Sequence, residues 1–99
     1  MARSLLQRRL IDVSDRLKRL RSERAVVDEQ LAFFEEEAED KRLRALVSET
    51  PLAEAEAREV RRHADALGRQ RDVLQRSIAD LEREQDALLD RMAAELPSR

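Results

Sequence analysis

Apolar residues recur through this chain in alternating steps of four and three, a rhythm that belongs to the seam of a coiled coil. One ladder is Leu6, Leu10, Val13, Leu17, Leu20, Arg24, Val27, Leu31, Phe34 and Ala38. A second is Ala53, Ala57, Val60, Ala64, Leu67, Arg71, Leu74, Ile78, Leu81, Gln85, Leu88 and Met92. The two are out of phase, and the slip falls on Ser48-Glu49-Thr50-Pro51-Leu52, which holds the only interior proline. Proline suits the first position of a helix, where its missing N–H costs nothing, and Thr50 before it is a good N-cap. The pattern therefore predicts an all-α chain forming one helical-hairpin domain over 1–99. Its parts are a helix 3–48, a turn at 49–50, a helix 51–96 ended by Pro97, and a short tail 97–99. At 1.5 Å per residue each arm would measure about 65–70 Å.

Charge placement selects an antiparallel hairpin over one continuous parallel coil. Folding the chain about Glu49 sets Glu35, Glu36, Glu37, Glu39 and Asp40 against Arg61, Arg62 and His63. It sets Lys41, Arg42 and Arg44 against Glu54 and Glu56, and Arg16, Lys18, Arg19 and Arg21 against Asp80, Glu82 and Glu84. Arg8 and Arg9 fall near Asp90. Each exposed pair is worth a few tenths of a kcal/mol, but the series as a whole fixes direction and register. Seam volumes agree: Phe34 meets Ala64, Leu31 meets Leu67, Leu17 meets Leu81 and Leu10 meets Leu88. Arg24, Arg71 and Gln85, which faces Val13, are polar layers that fix register at a cost in stability. The alternative role for the two arginines is to receive an acidic side chain from another subunit.

A chain of 99 residues with 42% charged and 2% aromatic residues has no wide core, so a lone hairpin would gain from a partner. Positions beside the seam suggest where that partner sits. Val26, Gln30 and Phe33 on the first helix, with Ala66, Gln70, Val73 and Ser77 opposite on the second, form a flank without formal charge. An exposed phenylalanine and two valines on a slender hairpin are poorly placed in water. The expectation is a homodimer packed as a four-helix bundle, with an unidentified protein as the rival occupant. The tip is a second candidate surface: Val47, Glu49, Thr50, Pro51, Leu52 and Glu54, with Leu46 completing a small apolar cap.

Other features read as solvated helix faces. Arg62, Arg69, Arg76 and Arg83 recur every heptad, but Asp65, Asp72 and Asp80 stand four residues away along the same helix and neutralise the stripe. The net charge of −2 with both signs mixed also argues against a nucleic-acid partner. The acidic run 35–40 spreads around one helix rather than converging on a cation. His63 has no second His, Cys or Ser in pattern, so neither a zinc site nor a catalytic triad is expected. Gly68, level with Phe33 and Phe34, suggests close approach or a slight bend there. The chain has no cysteine. No apolar run suits a signal peptide or a bilayer span, so the expected location is cytoplasmic, without cofactor or metal.

The stretch Arg42-Leu43-Arg44-Ala45-Leu46-Val47-Ser48-Glu49-Thr50-Pro51-Leu52-Ala53, with Arg61-Arg62-His63-Ala64-Asp65-Ala66-Leu67, resembles small uncharacterised coiled-coil proteins of actinobacteria. That resemblance implies an intracellular protein of a GC-rich bacterium and carries no catalytic residue. The expected function is a non-enzymatic coiled-coil scaffold or adaptor. The alternative is a transcription regulator that contacts RNA polymerase through the acidic tip.

Overall fold

The computed structural model describes residues 2–96 and consists of two helices, α1 (Ala2–Ser48) and α2 (Pro51–Ala94), that pack against each other as a hairpin. No strand occurs among the described residues. Helix α1 begins one residue earlier than the pattern predicts, and α2 ends two residues short of the expected 96. The shortening has a local cause. Glu95 and Leu96 donate to the carbonyls of Met92 and Ala93, at 3.2 and 3.3 Å, so the final turn tightens to three-residue spacing. The expected stop at Pro97 and the tail 97–99 lie outside the described residues.

The turn is built as a pair of caps. Glu49 takes φ 54°, and its N–H donates to the carbonyl of Ala45 at 3.0 Å, the left-handed closure that ends α1. Thr50 then caps α2: its Oγ1 accepts from the N–H of Ala53 at 3.2 Å, and its carbonyl accepts from Glu54 at 3.1 Å. Glu54 stands in the first turn of α2 and Arg91 in its last, each complementing the helix dipole. A glutamate in the left-handed region costs about 1 kcal/mol that glycine does not pay. Glu49→Gly should accordingly stabilise the fold by about 0.5–1 kcal/mol in urea unfolding, net of glycine's greater freedom in the unfolded chain. A destabilised variant would mean that the Glu49 side chain contributes something its backbone does not explain.

The described residues group into two compact units, one of residues 2–23 with 74–96, the other of Arg24–Val73. In the first, Leu6, Val13, Leu17, Ile78, Leu81 and Leu88 form a buried core, with Leu10, Leu20 and Met92 packed against it. In the second, Val27, Ala38, Ala64 and Leu67 are buried, with Leu31, Phe34, Ala53, Ala57 and Val60 half-buried beside them. Every rung of both predicted ladders is buried or half-buried; none is exposed. The polar layers are half-buried too. No buried side-chain nitrogen or oxygen among the described residues lacks a hydrogen bond.

Gly68 departs from expectation. A methyl group built on its α-carbon would meet nothing within 4 Å, so no close approach of a neighbour requires the glycine. Gly68→Ala should therefore recover the helix propensity lost there and raise stability by about 1 kcal/mol. Chemical denaturation measures this directly, and a loss of stability would contradict the open space.

Candidate functional site

Three contacts set the level of one helix against the other within the Arg24–Val73 unit. The guanidinium of Arg71 donates from Nε to Asp28 Oδ1 at 2.8 Å. That of Arg61 donates to Glu35 Oε1 at 2.6 Å. The ring of Phe34 stacks on His63 with centroids 4.0 Å apart and planes 15° from parallel. On this register Val26 stands level with Val73, Gln30 with Gln70, and Phe33 with Ala66. All six are exposed, Val26, Phe33 and Val73 by 55%, 58% and 53%. Ser77, the seventh residue of the predicted flank, belongs to the other unit and is half-buried.

The aromatic cluster sharpens this surface. Phe33 meets Phe34 edge to face, with ring centroids 5.1 Å apart at 90°, so Phe34 in the seam contacts both Phe33 and His63. Phe33 is thereby an exposed ring braced from below rather than a loose side chain. Sequence reasoning missed His63 as part of this group. The available signal was its position beside the seam, level with Phe34.

The polar layers find partners within the chain. Arg71 is held by Asp28, and Gln85 Nε2 donates to Ser14 Oγ at 3.1 Å, beside the Val13 it was expected to face. Arg71 is thus occupied by a carboxylate of its own subunit.

At the tip, Leu43, Leu46, Val47 and Leu52 are exposed by 48%, 62%, 86% and 70%. They flank in sequence Glu49, whose backbone at positive φ closes the turn. Just below, an open groove of about 380 Å³ is lined by Ala38, Glu39, Arg42, Ala57, Arg58, Arg61 and Arg62. Its charges largely answer one another. Arg42 chelates Glu39 with contacts of 3.0 and 2.7 Å, Arg61 also reaches Asp65 at 3.2 Å, and Arg62 reaches Glu59 at 3.4 Å. The hydrogen bond from Arg42 holds the Glu39 carboxyl below the usual carboxylate range, and the reciprocal bond raises Arg42. Arg61 is raised chiefly by its bond to Glu35. The Glu39 pairing therefore supports the fold above the ordinary carboxylate pKa and is lost as pH falls through its lowered value.

The cross-helix pairs Lys41–Glu56 at 3.6 Å, Glu35–Arg61 and Arg21–Glu82 at 3.2 Å follow the predicted register. Other charges choose differently. Arg9 reaches Glu84 at 3.6 Å rather than Asp90. On the heptad stripe, Asp65 pairs with Arg61 instead of Arg69, and Asp80 with Arg83 instead of Arg76. Arg62 and Arg83, for which the spacing named no partner, pair with Glu59 and Asp80, while Arg69 and Arg76, the two expected to be paired, make no ion pair among the described residues. Such exchanges between exposed partners differ by well under about 1 kcal/mol, so heptad spacing does not choose among them.

Among the described residues no three His, Cys, Asp or Glu side chains converge in a group that could hold a metal ion, and no helix is long and apolar enough to cross a membrane. The arrangement offers surfaces for contact: an uncharged flank with a braced aromatic and an apolar tip. No family model, curated protein or solved structure matches this chain.

Proposed function

We propose that the protein is a non-enzymatic coiled-coil scaffold or adaptor of the bacterial cytoplasm that self-associates through the Phe33 flank into a four-helix bundle. The observation that carries this reading is the exposure of Phe33, Val26 and Val73, by more than half each, on a flank without formal charge. Elsewhere the chain places charge freely, at 42% of its residues. Water contact with that flank is relieved when a second hairpin covers it, and Gln30 and Gln70 carry both donors and acceptors to satisfy one another there. Light scattering on the purified chain tests the reading. A dimer has twice the chain mass of 11.5 kDa, and a monomer at micromolar concentration would refute self-association.

The tip supports the second reading, a regulator of RNA polymerase. A non-glycine residue is kept at positive φ there, between the exposed Leu46 and Val47 on one helix and Leu52 on the other. Under that reading Glu49→Ala with Glu54→Ala abolishes an effect on transcription in vitro while leaving the mass unchanged.

A further inference from the structure

We infer that the second copy docks with its tip beside the first, the two-fold axis running along the hairpin rather than across it; this rests on the self-association proposed above. Two symmetric ways exist to lay the flank of one Arg24–Val73 unit on that of another while keeping neighbouring helices antiparallel. With the axis along the hairpin, α1 of each copy faces α2 of its partner at the same level. Phe33 then lies over Ala66, Val26 over Val73 and Gln30 over Gln70, each contact occurring twice. With the axis across the hairpin, like helices face each other in reverse. Phe33 then lies over Val26 along the α1 row, and Ala66 over Val73 along the α2 row.

Close packing separates the two. The first arrangement sets the largest side chain of the flank against the smallest, and the two valines against each other, so its layers are nearly equal in volume. The second crowds two large pairs into one row and leaves two small pairs in the other, a wedge that wastes contact on one side. Charge nearer the tip agrees with the first. Glu37, with no ion pair of its own among the described residues, comes opposite His63, whose ring N–H can donate to it. Arg44, likewise without an ion pair, comes opposite Glu56, which Lys41 of its own chain already reaches at 3.6 Å. The one like-charged level sets Asp40 against Glu59, and Glu59 is already answered by Arg62 at 3.4 Å. The two copies of Leu46, Val47 and Leu52 would then emerge side by side as one paired tip.

The absence of cysteine makes the test direct, because one introduced thiol is unique. A nitroxide on Val47→Cys, a position 86% exposed, reports the distance between tips by pulsed dipolar spectroscopy. Adjacent tips in a bundle with helices 8–10 Å apart give a distance under about 30 Å. The crossed arrangement separates them by about 50 Å, from the rise per residue between the flank and the tip, and that result overturns the orientation while leaving self-association standing. Loss of all dipolar coupling together with a monomer mass overturns self-association itself. Oxidation gives an independent reading. A mixture of Gln30→Cys and Gln70→Cys chains should link unlike chains, whereas linkage of Gln30→Cys to its own kind would reject the proposed axis.

Discussion

Leu17→Ala should destabilise the protein by about 3 kcal/mol, the largest effect expected of any single truncation here. Leu17 is 1% exposed within the cluster of Leu6, Val13, Ile78, Leu81 and Leu88. A two-helix seam has little around it that can collapse into the vacated space, so both the lost transfer energy and the cavity are felt. For a chain of this size the same change corresponds to a melting temperature lower by about 10–20 °C. Ile11→Ala is the internal control. Ile11 is as apolar but 62% exposed, and its truncation should cost no more than about 0.5 kcal/mol. Should Leu17→Ala leave too little folded protein to measure, Ile78→Val, at about 1 kcal/mol, tests the same layer. Equal costs for Leu17→Ala and Ile11→Ala would mean that the seam does not hold the helices together.

That contrast between Leu17 and Ile11 also marks what the residue order reveals. Two apolar side chains of similar size differ in fate because one falls on the four-three rhythm and the other does not. Burial in a coiled coil is periodic, so every rung from Leu6 to Met92 could be assigned in advance. The turn was legible for a related reason: Pro51 and Thr50 have one comfortable arrangement at a helix start, and Thr50 Oγ1 adopts it. Side-chain partnerships were less legible. Arg9 could reach Asp90 or Glu84, and Asp65 either Arg61 or Arg69, because long exposed side chains choose among nearly equal energies. The flank was found by its lack of charge, yet the contact of Phe33 with Phe34, itself stacked on His63, was not, since ring orientation depends on rotamers that spacing does not encode. Ile11 and Leu89, exposed by 62% and 48%, fall outside the surfaces predicted because both sit off the seam rhythm and away from the Phe33 flank. Single apolar residues on a surface are ordinary, and this pair is small beside the flank or the tip.

If the flank is the self-association surface proposed above, Phe33→Glu should give a monomer while leaving each hairpin folded. The two halves of that outcome have separate causes. Within one chain Phe33 is 58% exposed and its contact is an edge-to-face approach to Phe34, so truncating or charging it removes little from the seam. Helical circular dichroism and the unfolding midpoint measured well below the dimer's dissociation constant should therefore move by no more than about 1 kcal/mol. Between chains the position is central: the carboxylate would be desolvated against Ala66 of the second copy, with no cation on that flank between Val26 and Val73 to receive it. Two-fold symmetry doubles the penalty, because each interface would bury two such carboxylates. An unpaired buried charge costs several kcal/mol, and two of them exceed what a patch of six side chains can return. Light scattering should then give half the wild-type mass, and Val26→Glu or Val73→Glu should act in the same direction. A Phe33→Glu chain that keeps the wild-type mass would place self-association on some other surface, with the exposed apolar tip of Leu46, Val47 and Leu52 the first to examine by Val47→Glu.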